Sequence, residues 1–271
     1  MKQTLEQLAD GSGTPVLVVD FLQFTAARPL GSVLTAPGGR PVFRADPVGD
    51  LTRIPGCPGL PALADGYAKL CLDSAAPGGR PPLVVGYCSA AALALRVAER
   101  LGGPSGAPCP TVLVQPSWPT EARAWEDWES FSAQWSDGAR PPLAHPVHQG
   151  GEPEAVLEHM MSALEAQTST AAERRGLGTP EGRALVRDLL DRYRAWLAFQ
   201  LAVAHDVRTG PVPTTAARLV GGRDDPLGLP WPQSRQAGVV RLPVTGEELL
   251  EAAELPVTVL TAPAPEGNGE P

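Results

Sequence analysis

Short, wholly apolar runs alternate with longer stretches in which apolar residues recur every three or four positions. Residues 16–20 (VLVVD), 83–87 (LVVGY) and 111–115 (TVLVQ) are such runs, rich in valine and leucine. Their length and their flanking Pro or polar residues predict strands buried on both faces. Residues 42–45 (VFRA) predict a weaker, edge-like strand. Residues 61–75 and 89–101 carry apolar positions at helical spacing and stop at Pro77-Gly78-Gly79 and Gly102-Gly103. This alternation predicts an α/β fold, with a mostly parallel central sheet flanked by helices.

The rhythm breaks after residue 115. Residues 120–135, 154–175 and 179–205 all read as helix. Strand patterns resume at 216–220 and 239–242, followed by a short helix over 247–254 and a further strand over 257–261. The expected organisation is a core in two parts, 1–115 and 211–261, interrupted by a helical lid insertion over 116–210. The Pro/Gly/Glu-rich tail, 262–271, is expected to be disordered. Trp125, Trp128 and Trp135 lie 3 and 7 residues apart on one face of the first inserted helix, with Trp118 just before it. Such a stripe packs the insertion, walls a ligand site, or does both.

Composition narrows the function classes. The 271 residues are 43% hydrophobic and 19% charged, enough for one sizeable core. Twenty-nine Gly and 31 Pro predict long, turn-rich connections. A net charge of -8 without a basic stretch argues against nucleic acid. No apolar run approaches the ~20 residues of a membrane span. The first 13 residues are polar and do not read as a secretory signal, and a cytoplasmic setting is expected. Four scattered cysteines (Cys57, Cys71, Cys88, Cys109) form no CxxC pair. His145 and His148 make an H-x-x-H without a third ligand. No bound metal or organic cofactor is expected.

The most informative segment is Gly86-Tyr87-Cys88-Ser89-Ala90, where an apolar strand turns at once into an Ala-rich helix. This is the layout of a G-x-S-x-G nucleophile elbow, with Cys at the nucleophile and Ala at the last glycine. Small residues two before and two after the nucleophile let strand and helix approach closely. A thiol at a helix start meets free N–H groups that favour its thiolate. The N–H of Ser89 is aimed where an oxyanion would form.

Residues 63–101 (LADGYAKLCLDSAAPGGRPPLVVGYCSAAALALRVAERL) resemble the elbow region of thioesterases in the α/β-hydrolase superfamily. Those enzymes are attached to, or act beside, polyketide synthases and nonribosomal peptide synthetases. The resemblance extends to strand 111–115, to the helical insertion, and to Arg218-Leu-Val-Gly-Gly-Arg-Asp-Asp-Pro, which is similar to the strand-then-acid segment. It implies an α/β-hydrolase fold with Cys88 as nucleophile and Asp225 as triad acid, Asp224 being second choice. It implies an oxyanion hole from Ser89 and the turn at Phe21 and Leu22. Tyr87, Trp118, Trp125 and Trp128 are the expected substrate contacts. The implied partner is an acyl or peptidyl carrier protein, or its synthase module. Phosphopantetheine then arrives only as the arm of that substrate.

Two departures redirect the chemistry. The turn Phe21-Leu22-Gln23-Phe24 lacks the usual glycines. A histidine should follow the acid, yet His145, His148, His159 and His205 all precede Asp224. The slot in question reads Leu242-Pro-Val-Thr-Gly-Glu-Glu-Leu-Leu250. His205, beside Asp206, is the candidate base from an abnormal position. Cysteine tolerates the loss better than serine, because a thiol is partly ionised near neutrality and thioester exchange is nearly isoenergetic. The leading expectation is acyl or aminoacyl transfer through acyl-Cys88. A catalytically impaired pseudo-hydrolase serving as a binding module, and a thioesterase that hydrolyses aberrant acyl groups, stand as alternatives.

Overall fold

The computed structural model describes residues 3–21, 28–35, 37, 39–74, 81–102, 108–136 and 151–261. The valine-rich runs form the centre of one seven-stranded sheet. Its strands are β1 (Glu6–Ala9), β2 (Val16–Val19), β3 (Val42–Ala45), β4 (Leu83–Tyr87), β5 (Thr111–Val114), β6 (Ala217–Gly221) and β7 (Gln236–Arg241). They lie in the order β1-β3-β2-β4-β5-β6-β7. Only β1 runs antiparallel to its neighbour. Every residue of β2 and β5 is buried, as two-sided coverage of a parallel sheet requires. The edge-like reading of 42–45 changes, because β1 covers β3. That outer strand, EQLA, is polar and half exposed, so no apolar run announced it.

Eight helices complete the described elements. They are α1 (Leu30–Leu34), α2 (Pro47–Leu51), α3 (Leu60–Ser74), α4 (Ala91–Gly102), α5 (Glu121–Ala133), α6 (Pro153–Arg174), α7 (Pro180–Thr209) and α8 (Glu254–Leu260). One core lies between the sheet and α3, α4 and the helices α5 to α7; the other lies under α1 and α8. Two expectations near the C-terminus are corrected. The helix expected over 247–254 is only a 3-10 turn at Leu249–Glu251. The strand expected over 257–261 is helix α8. Its β-branched residues favoured a strand, but Leu255 and Val259, four apart, are both fully buried against the second core. Packing overrides propensity there. The tail, 262–271, lies outside the described residues.

Helix α4 is buried along nearly its whole length, Arg96 included. The Arg96 guanidinium is held by Asp206 of α7 at 2.9 Å, by Glu99 at 3.0 Å and by the Pro211 carbonyl at 2.6 Å. A buried cation needs such a full set of partners. The same network fixes the end of α7 to α4, which follows the 3-10 turn Cys88–Ala90. Among the described residues, no helix is long and apolar enough to cross a membrane, and no cluster of His, Cys, Asp and Glu is fit to hold a metal ion.

Candidate active site

The chain passes from β2 outward to β3, then crosses back to β4 on the other side of β2. At such a switch point the loops diverge and leave a crevice beyond the carboxyl ends of the strands. Asp20 follows β2 and Cys88 follows β4, so both sit at this place.

Cys88 has φ +51°, in the left-handed region that disfavours a side chain. The turn is held from several sides. Gly86 lies so close to α4 that a Cβ there would stand 2.6 Å from the Ala94 Cβ and 2.9 Å from the Ala91 Cα. Ala90 is fully buried under the turn. The Cys88 carbonyl accepts the N–H of Ser117 at 3.2 Å. The small residues read from the sequence therefore meet real steric demands.

Burial pushes the Cys88 thiol above its ordinary value near 9.0. The Ser89 N–H and the hydroxyls of Ser89 and Ser117 donate toward the sulfur and offset part of that rise. The helix start thus lowers the thiol less than burial raises it, and the resting group is a thiol at neutral pH.

The acid side is built differently. Gly222 N–H donates to Asp225 Oδ2 at 2.7 Å, and Gln115 Nε2 donates to Asp225 Oδ1 at 3.2 Å. Asp225 is thereby turned toward the crevice. Asp224, the second choice, is exposed and faces Arg223 at 3.3 Å. Gly246 lies in the slot where the resemblance called for histidine. A Cβ on Gly246 would stand 2.4 Å from Asp225 Oδ1 and 2.5 Å from Gln115 Nε2. The backbone of this loop is thus pressed onto the acid, with the Gln115 amide where an imidazole would be sought. Gln115 itself has φ +47°, and its N–H donates to the Val220 carbonyl at 2.7 Å.

Tyr87 completes a chain from acid to elbow, its hydroxyl lying 3.5 Å from Gln115 Oε1. Its pKa is pushed up to about 12, by burial first and then by the charges of Cys88, Asp225 and Asp20. Asp20, which no pattern singled out, is fully buried. Its Oδ2 accepts the Gly31 N–H at 2.9 Å, while Oδ1 has no partner among the described residues. Burial raises its pKa to about 6.

The remaining expected residues scatter. Phe21 packs edge-on against Trp196 and Phe199 of α7, at 5.2 and 6.0 Å between ring centres. Leu22 lies outside the described residues, as do His145 and His148. Trp118 donates its indole N–H to the Gly228 carbonyl at 2.9 Å and packs on Trp231. Trp128 is buried and donates to the Met160 carbonyl at 2.9 Å, which places it between α5 and α6. Trp125 packs beside it and against His159. His205 sits on α7 with Nδ1 3.5 Å from an Arg208 nitrogen. Its neighbour Asp206 is bound to Arg96, eight residues along the chain from Cys88. The structure brings together Cys88, Ser89, Tyr87 and Asp225, and adds Gln115, Ser117 and Asp20; the contacts of His205 and His159 are with Arg208 and Trp125 instead. Gln115 was legible only as the first polar residue beyond an apolar strand.

No family model matches the sequence, and no curated protein matches it. Solved structures do match over almost the whole chain. A four-domain nonribosomal peptide synthetase bound to AMP and glycine aligns with TM-score 0.56 and 12% identity, over 95% of this chain and 20% of its own. The chain therefore spans about a fifth of that synthetase. The enol-lactonase from Burkholderia xenovorans LB400 aligns with TM-score 0.53 and 14% identity, over 95% of each chain. A type II thioesterase from the yersiniabactin NRPS/PKS biosynthetic pathway aligns with TM-score 0.51 and 16% identity, over 94% of this chain and 96% of its own. Likeness at these identities establishes the fold: the chain is an α/β-hydrolase-fold protein. That thioesterases are among its structural neighbours agrees with the resemblance carried by the elbow sequence.

Proposed function

We propose that this chain is a thioesterase-like acyl or aminoacyl transferase. It acts on carrier-protein thioesters of natural-product biosynthesis through an acyl-Cys88 intermediate. The observation that carries the reading is a strained elbow thiol, complete with its helix-start N–H, and an acid with no imidazole partner among the described residues.

In the first half-reaction the Cys88 sulfur attacks the thioester carbonyl. The developing oxyanion is met by the Ser89 N–H. The C–S bond to the carrier's phosphopantetheine breaks, and the thiol proton ends on the departing sulfur. In the second half-reaction an acceptor thiol repeats the exchange in reverse. Each step replaces one thioester by another, so neither needs a strong base. Trp118 and the inserted helices would close over the acyl group as a lid. The partner is an acyl or peptidyl carrier protein, or its synthase module, in the cytoplasm. The neighbouring synthetase and pathway thioesterase support this choice by analogy of fold.

The fully folded pseudo-hydrolase is the second reading, favoured by the Gln115 amide at the base position. Mixing the protein with an acyl-carrier protein or a small acyl thioester and taking an intact mass separates them. Transfer predicts an adduct that Cys88→Ala abolishes. Tight carrier binding without adduct, over several donors, leaves the binding module.

A further inference from the structure

Outside the elbow, the molecule's most unusual polar arrangement is the one between Asp225 and Tyr87. We infer that Gln115 sets the choice of acceptor at Cys88, admitting thiols and excluding water, by filling the seat of a general base with a group that cannot take a proton. The inference rests on the acyl-Cys88 reading and deepens it.

The geometry is specific. Gln115 Nε2 is held by Asp225 Oδ1 at 3.2 Å, and Gln115 Oε1 lies 3.5 Å from the hydroxyl of Tyr87, the residue before the nucleophile. The Gln115 backbone is held at φ +47°. A non-glycine residue in that region is sterically disfavoured, so surrounding contacts must hold it there. The loop at Gly246 comes so close that any side chain on it would strike both Asp225 and Gln115. The seat is therefore occupied rather than vacant. Among the described residues, the charged and titratable groups around it are Asp225, Tyr87, Cys88, Asp20 and Arg241. The last donates to the carbonyls of Gly222, Arg223 and Asp225. None is an imidazole.

The chemistry follows from proton balance. When a thiolate attacks acyl-Cys88, a C–S bond forms, the old C–S bond breaks, and no proton must be removed in the step. When water attacks, a C–O bond forms and a proton must leave the water as Cys88 departs. General-base assistance to such a step is worth about 10²–10⁴-fold. A carboxamide has no basicity near neutral pH, and Asp225 is already bonded to Gly222 and Gln115.

The test uses the full chain loaded on Cys88 with the butyryl thioester of N-acetylcysteamine. Loaded wild type, Gln115→His and Gln115→Glu are freed of donor. Each is followed by intact mass in buffer alone and in buffer with N-acetylcysteamine. Wild type should lose the acyl group to the thiol and hold it against water. Gln115→His should hydrolyse about 10²-fold faster. Its rate should rise with pH through a midpoint near the ordinary imidazole value of ~6.5. Gln115→Glu supplies a second base should the histidine variant fail to melt cooperatively. Equal hydrolysis in all variants, or wild type hydrolysing as fast as it transfers, overturns this proposal and leaves acyl-Cys88 standing. No adduct on Cys88 in any variant overturns that reading and this proposal with it.

Discussion

The two sides of the crevice have been treated very differently. On the elbow side, Cys88 at φ +51° is wedged by Gly86 against α4, and the Ser89 N–H reaches its sulfur. On the acid side, Asp225 accepts the Gly222 N–H and the amide of Gln115. A site that had simply decayed would be expected to relax the strained turn first, because backbone strain of this kind costs about 1–3 kcal/mol. Here the costly turn is present, while the loop facing Asp225 holds Gly246, which has no side chain. The pairing favours chemistry that needs a poised thiol but no base.

The largest expected effect concerns the rear of the elbow. Asp206→Ala strands Arg96 in the core, and loss of one partner of a buried pair costs about 3–5 kcal/mol. Denaturant unfolding should report it, and a loss under 1 kcal/mol would mean that α4 is not anchored there. Next comes the Asp20 carboxyl. Its folded pKa, about 6, stands above its ordinary 3.8, so its contribution is fully present below 3.8 and lost as pH rises to about 6. Asp20→Asn removes this titration, so its stability relative to wild type should rise by roughly 2 kcal/mol between pH 4 and 7. A flat difference across that window would show that Asp20 is solvated.

Gly86→Ala should cost about 1–3 kcal/mol through overpacking against Ala91 and Ala94, and should slow acylation of Cys88 at least as much as it lowers stability. Asp225→Asn sharpens the comparison directly. In a triad hydrolase the equivalent change costs about 10⁴ in rate. Among the described residues Asp225 orients an amide and no imidazole, so acylation should fall by less than about tenfold. The smallest effect is one of shape. Cys88 acylation should keep climbing with pH toward the raised thiol pKa, without the plateau near neutrality that a cysteine–imidazole pair would give. A bell-shaped profile centred near neutrality would falsify the base-free site.

Much of this was legible in the residues. The three valine-rich runs became β2, β4 and β5, and Gly86-x-Cys88-x-Ala90 became a strained turn because small residues permit only that approach. Asp225 was separable from Asp224 only in three dimensions, where one carboxylate caps Gly222 and the other faces solvent. Strand β1 and the short helices α1 and α2 were missed because they are too short, or too polar, to carry a period. Trp125 and Trp128 looked alike to Trp118 in sequence. Helix packing then turned the first two toward α6 and left Trp118 on the connection beside the elbow. Gln115 was invisible as a site residue, since its meaning depends on β4 and β6 lying to either side of β5.

The long helical block between β5 and β6 is stitched down at both ends to the same stretch of chain. At its start the Ser117 N–H holds the carbonyl of Cys88, and at its finish Asp206 holds Arg96 of α4, which follows the turn at Cys88. A span pinned at both abutments can bow but cannot swing. On the acyl-transfer reading, an entering acyl group would flex the span between these stitches, and a load on it would reach the Cys88 backbone through the first.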